Sequence, residues 1–105
     1  MKLHQLQALV AAVEHGSIRA AARELHLTQA ALTKSLRQLE EDTGVALLIR
    51  KSRGIVLTDA GQRLHARAQL VMRQMALAQD ELQQAQGDQE GTVRVALTPY
   101  LMLTV

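Results

Sequence analysis

The chain has no cysteine, tryptophan or phenylalanine, and only one tyrosine (Tyr100) and one proline (Pro99) in 105 residues. Without cysteine there is no disulfide frame, no thiolate nucleophile and no thiolate-bound zinc or iron–sulfur centre. With Tyr100 as the only aromatic there is no platform for stacking single-stranded or RNA bases. The core has to be aliphatic, built from Leu, Val, Ile and Ala. Long hydrophobic runs are missing too. Ala8 to Val13, the longest near the start, falls far short of the roughly 20 residues a bilayer crossing needs. It is also too short for a signal-peptide core, and no cleavage pattern follows, so the expected location is the cytoplasm. Neither charge sign dominates: 12 Lys/Arg stand against 10 Asp/Glu, leaving +2.

Catalytic and metal chemistry lack a motif. His4, His15, His26 and His65 do not pair with one another, or with a carboxylate, at ligand spacing. Ser17, Ser35 and Ser52 have no nucleophile-elbow context, and no Gly-x-x-x-x-Gly-Lys loop exists for a nucleotide. Glu40-Glu41-Asp42 reads as a solvated or ion-paired helix end. The expectation is a chain that is not an enzyme and carries no cofactor or metal.

What is present is helix-forming sequence: Ala, Leu, Gln, Glu and Arg dominate residues 1 to 90. Leu3, Leu6, Leu9, Val10 and Val13 predict an amphipathic helix over about 3 to 14, stopped by Gly16. Ser17 is placed to cap a second helix with Ile18, Ala21, Ala22 and Leu25 as its apolar stripe. Thr28 is placed to cap a third, running to about Asp42 and ended by Thr43-Gly44. Residues 45 to 57 change character. Val45 to Ile49 and Ile55 to Leu57 are β-prone and flank the basic turn Arg50-Lys51-Ser52-Arg53-Gly54, which predicts a short hairpin or wing. Thr58 then opens a long helix, with Asp59 in its first turn and Gly87 as the expected stop.

Leu64, Ala68, Val71, Met75, Ala78, Leu82 and Ala85 recur along that helix at spacings alternating between four and three, the pattern of a coiled-coil seam. Such a helix is roughly 43 Å long and asks for a partner. Residues 87 to 92 read as an acidic, glycine-flanked linker, and Val93, Val95 and Leu97 as a strand that opens a further domain.

On the third helix, Leu36 and Leu39 lie within about 40° of Leu32 and face inward with it. Gln29, Ala30, Thr33, Lys34 and Arg37 fall on the other side, offering an amide, a methyl, a hydroxyl and two cations. These groups read base edges in a major groove, although the same composition also suits an ordinary solvated face. Charge distribution favours the first reading. Arg19 to Arg73 holds ten Lys/Arg and five Asp/Glu, whereas Asp80 to Glu90 holds four acids and no base.

Taken in order, these segments resemble the LysR-type transcriptional regulators. The resemblance is carried by Gly16-Ser17-Ile18-Arg19-Ala20-Ala21-Ala22-Arg23-Glu24-Leu25, by Thr28-Gln29-Ala30-Ala31-Leu32-Thr33-Lys34-Ser35-Leu36 with Leu39-Glu40, and by Arg50, Arg53 and Leu57-Thr58-Asp59-Ala60-Gly61. It spans about residues 1 to 90 and implies a mainly α fold, a winged helix-turn-helix followed by a long dimerisation (linker) helix. The implied division is 1–58 for DNA binding, 59–87 for the linker helix, and 88–105 for a hinge and the first strand of a truncated effector-binding domain. Some positions depart from the family pattern. Ala30 stands where proline is common, Thr43 for a usual leucine, Leu48 for a usual phenylalanine, and Arg19 where threonine is frequent.

The resemblance also implies roles. Gln29, Ala30, Thr33 and Lys34 would meet base edges of double-stranded promoter DNA. Ser17, Arg19, Thr28, Arg37 and Arg50 would hold phosphates, and Arg53 would reach the minor groove or its backbone. The seam residues would form a homodimer, with tetramers expected only of the full-length protein. The small-molecule effector belongs to the missing domain. Thr98, where the family often has an effector-contacting hydroxyl, reads better here as a turn residue before Pro99. The rival reading is a coiled-coil module that binds protein and not DNA.

Overall fold

The computed structural model describes residues 1–52 and 54–91, with side chains to residue 87. The elements are α1 (Leu3–His15), α2 (Ile18–Glu24), α3 (Gln29–Thr43), β1 (Leu48–Lys51), β2 (Gly54–Leu57) and α4 (Asp59–Gly91). This is the expected winged helix-turn-helix with a long helix after it. Arg53 and the expected strand over 93–97, with Thr98, lie outside the described residues.

Each short helix begins and ends where its capping chemistry dictates. Ser17 Oγ accepts the Ala20 N–H at 3.1 Å and Thr28 Oγ1 accepts the Ala31 N–H at 3.0 Å. Gly16 and Gly44 close α1 and α3 in the left-handed region at φ 69° and 70°. The α2–α3 turn uses the same device without glycine. His26 sits at φ 56°, with its N–H on the Arg23 carbonyl and the Leu27 N–H on the Ala22 carbonyl. That pair of bonds is a Schellman motif, and it sets the angle at which α3 leaves α2.

The core is as aliphatic as the composition requires. Leu9 and Ala12 of α1, Ala21 and Ala22 of α2, and Leu32, Leu36 and Leu39 of α3 form one buried cluster with Leu47. The small alanines let three helix backbones approach closely. The large side chains Leu9, Leu32 and Leu39 are fully buried and contribute about 1.5–3 kcal/mol each. Leu48, Ile55 and Leu57 bring the hairpin onto this cluster. β1 and β2 pair antiparallel, with Leu48 opposite Leu57 and Arg50 opposite Ile55. Leu48 thus fills its place as a half-buried residue, and Thr43 is exposed, its hydroxyl donating to the Leu39 carbonyl at 2.9 Å. Neither departure from the family pattern opens the core.

Two expectations for the long helix need correction. Gly87 does not stop it: α4 continues to Gly91. One interior glycine costs only about 1 kcal/mol relative to alanine, and the Gln- and Glu-rich neighbours sustain the helix. Secondly, Ala68 is fully buried against Leu6 and Val10, with Leu64 and Met72 packed on the same cluster. Ala68 therefore has no surface left for a partner, and Leu64 is largely used within its own chain. The chain divides into two compact units at Met72 and Arg73. The described side chains of the second, residues 73–87, are all exposed.

Candidate nucleic-acid interface

α3 is held from behind and open in front. Its buried face carries Leu32, Ser35, Leu36 and Leu39. Ser35 Oγ lies 3.1 Å from His4 Nδ1, which ties the helix to α1 by a hydrogen bond as well as by packing. On the other face Gln29, Ala30, Lys34 and Arg37 are exposed and Thr33 is half-buried. The structure thus brings the four expected base-reading residues, and Arg37 beside them, onto one accessible face. Thr28 is exposed at its start, its hydroxyl committed to the Ala31 N–H. Ser17 is likewise occupied in capping α2, and Arg19 is exposed in the first turn of that helix.

The wing is fixed to α3 by two contacts. Glu40 Oε2 accepts the backbone N–H groups of Leu47 at 2.7 Å and Leu48 at 3.1 Å, clamping the entry to β1. Further along β1, Arg50 Nη2 donates to Thr33 Oγ1 at 2.8 Å. Strand periodicity explains the second contact. Leu48 and Arg50 share a face, and with Leu48 packed on the core, Arg50 is carried over α3. At the wing's far side, Gly54 has φ 133°, and a Cβ there would stand 2.9 Å from the Gly16 carbonyl. The hairpin's return therefore presses on the α1–α2 turn, beside the Ser17 cap.

Sequence reasoning missed Glu40. Its signal was available: at 100° per residue it stands about 80° from Leu32, between Leu36 and Thr33, whereas Glu41 points away from the core and Asp42 lies on the opposite flank. Asp42 takes the ion-paired alternative expected of this helix end. It accepts from Gln5 Nε2 at 3.2 Å and lies 4.0 Å from the Met1 amino group. Gln5 is fully buried and also accepts the Lys2 N–H, joining the start of α1 to the end of α3. No spacing rule in the sequence marks such a buried amide.

The electrostatics favour an anionic partner. The Met1–Asp42 contact is the one ion pair among the described residues. Arg19, Lys34, Arg37, Arg50 and Lys51 are all exposed and have no carboxylate within pairing distance among those residues. The described residues also hold no cluster of His, Asp or Glu fit to bind a metal ion, and no helix long and apolar enough to cross a membrane.

Residues 3–62 match the family described as "Bacterial regulatory helix-turn-helix protein, lysR family". The chain belongs to the LysR family. Among relatives, it is 38% identical over 95 residues to the HTH-type transcriptional regulator PtxR of Pseudomonas aeruginosa. It is 34% identical over 99 residues to the DNA-binding transcriptional dual regulator OxyR of Escherichia coli. These alignments cover 90% and 94% of this chain but only 30% and 32% of the relatives, so it spans about a third of their length.

Solved LysR-family structures agree. A CbnR DBD–DNA complex superposes with a TM-score of 0.71 at 36% identity, covering 81% of this chain and 98% of that one. A BenM DBD–DNA complex gives a TM-score of 0.75 at 29% identity, covering 81% and 96%. Against full-length CbnR, described as a LysR family transcriptional regulator, the coverage is 79% of this chain and 29% of that one. The winged helix-turn-helix fold and membership of the LysR family are thus established for this chain.

Proposed function

We propose that this chain is the DNA-reading and dimerising part of a bacterial transcriptional regulator. One observation carries the reading: an exposed helix face bearing Gln29, Ala30, Thr33, Lys34 and Arg37, with cations unpaired among the described residues and a basic wing hydrogen-bonded to its edge. A duplex supplies what that face lacks. Gln29 pairs with an adenine edge, Lys34 with guanine acceptors, and the Ala30 methyl meets a thymine methyl. Arg19, Arg37 and the cationic wing, Arg53 included, grip the sugar-phosphate rails. The first backbone N–H groups of α2 and α3, at Ser17 and Thr28, add phosphate contacts.

The homodimer forms through α4. Val71, Met75, Ala78, Leu82 and Ala85 supply the seam, since Ala68 is buried at home. Met75 and Leu82 are exposed apolar residues that water does not favour. Two linked readers recognise a two-fold related site, and joining them raises affinity through effective concentration. Residues 1–58 read DNA and 59–87 dimerise. The stretch from 88 leads into an effector-binding domain, whose small-molecule ligand controls the regulator and whose presence permits tetramers. Such a protein works without catalysis or cofactor, in the bacterial cytoplasm on the nucleoid.

The test is a duplex titration at rising salt. A dimer that neutralises six or more phosphates loses roughly a thousandfold in affinity between about 50 and about 200 mM salt. Flat salt dependence, or no duplex binding, would turn the reading toward a coiled-coil module that binds protein.

A further inference from the structure

Arg50 Nη2 to Thr33 Oγ1 is the one side-chain-to-side-chain hydrogen bond joining α3 and β1 among the described residues. Its chemistry is directional. A threonine hydroxyl has one proton and two lone pairs, and Arg50 occupies one of those pairs. The proton is not committed along the helix. Thr43, by contrast, donates back to the Leu39 carbonyl, and Thr33 makes no such bond among the described residues. A guanidinium has five N–H donors and no acceptor, so Arg50 keeps donors beside the hydroxyl. Its charge also draws density from Oγ, which strengthens donation and weakens acceptance at the remaining lone pair. Thr33 and Arg50 together form a patch that donates.

Base edges differ in what they offer such a patch. In the major groove guanine presents N7 and O6 and thymine presents O4 with no donor beside them, adenine presents N7 next to an amine donor, and cytosine presents an amine donor alone. We propose that Arg50 is a specificity-determining residue: by holding Thr33 Oγ as an acceptor it aims the hydroxyl proton at the DNA, so the base facing the pair is read as guanine or thymine and cytosine is rejected. Arg50 then acts through sequence as well as charge, which a free phosphate grip would not do. Glu40 contributes by fixing Leu47 and the first residue of β1, Leu48, which stands two residues before Arg50.

This inference rests on α3 being the DNA-reading helix, and the experiment separates the two. The full chain is used to select duplexes from a random pool, and the selection is repeated with Thr33→Val, Arg50→Lys, Arg50→Ala and the Thr33→Val/Arg50→Ala double variant. Folding is checked by circular dichroism. The wild-type chain should enrich guanine or thymine over cytosine by about tenfold at one position. Thr33→Val and Arg50→Ala should each flatten that position alone, and the double variant should lose no more than either. Arg50→Lys should keep the salt slope but lose the preference, because an ammonium retains the charge without the planar fork.

The proposal is overturned if Arg50→Ala weakens all duplexes equally with the preference intact, or if the two losses multiply. A wild-type chain that enriches no sequence would sink the DNA-reading proposal itself, and this inference with it.

Discussion

The carboxylate of Glu40 accepts the backbone N–H of Leu47 at 2.7 Å, so the last turns of the third helix hold the first residue of the approach to the wing. The same oxygen takes the Leu48 N–H, and Leu47 is itself almost fully buried. One side chain thereby satisfies two backbone donors that core packing has drawn away from water. It also fixes the register from which Arg50 reaches Thr33.

Removing that acceptor should loosen the wing. Glu40→Ala is expected to cost about 2–3 kcal/mol, since two donors lose a charge-assisted bond, and Glu40→Gln about 1 kcal/mol, since an amide oxygen still accepts. Urea unfolding of the three proteins measures this. Equal midpoints would mean that the clamp contributes nothing.

A tighter constraint lies at Gly61. It is buried, and a Cβ there would stand 2.1 Å from the Leu47 carbonyl oxygen and 3.2 Å from a Leu57 methyl. The first of these neighbours is backbone and cannot swing aside. Gly61→Ala should destabilise by about 3 kcal/mol through overpacking, visible as a large fall in thermal midpoint. A midpoint unchanged by the substitution would contradict the close approach of the fourth helix to Leu47.

The helix-turn-helix angle depends on His26 at φ 56°. Histidine tolerates this region better than a β-branched residue does. His26→Ile should therefore cost about 1–2 kcal/mol, while His26→Gly should leave stability equal or higher. Chemical denaturation of both variants checks the order, and the reverse order would remove the left-handed turn from the account.

Dimerisation is tested on the exposed part of the seam. Met75→Glu places a charge among apolar residues that the chain's own core does not cover, so a dimer at micromolar concentration should become a monomer in sedimentation. A dimer that survives the substitution would move the interface elsewhere. Ala68 serves as the contrast: it is buried in its own chain, and enlarging it should harm folding before it harms association.

Much of this was legible in the sequence, because the signals are local. Gly16, Ser17, Thr28, Gly44 and Thr58 cap by rules that need only a few neighbours, and the Leu32–Leu36–Leu39 stripe fixes which side of α3 remains open. What was not legible joins residues far apart in the chain. Gln5 with Asp42, His4 with Ser35, and Arg50 with Thr33 each depend on how helices and hairpin pack. Ala68 departs from the expected seam for the same reason. A heptad pattern marks an apolar face but not what covers it, and here the first helix covers its beginning through Leu6 and Val10. Gly87 lies inside the helix, since glycine marks a helix end only where the chain also turns.

The central claim is that the face from Gln29 to Lys34 meets base pairs. Titrating a selected duplex at one fixed salt concentration with the wild-type chain and with Gln29→Ala, Lys34→Ala and Ser35→Ala tests it most directly. The account predicts about a tenfold loss for each of the first two and much less for Ser35→Ala, whose hydroxyl faces His4 from the buried side. Equal affinity for all four proteins would contradict it.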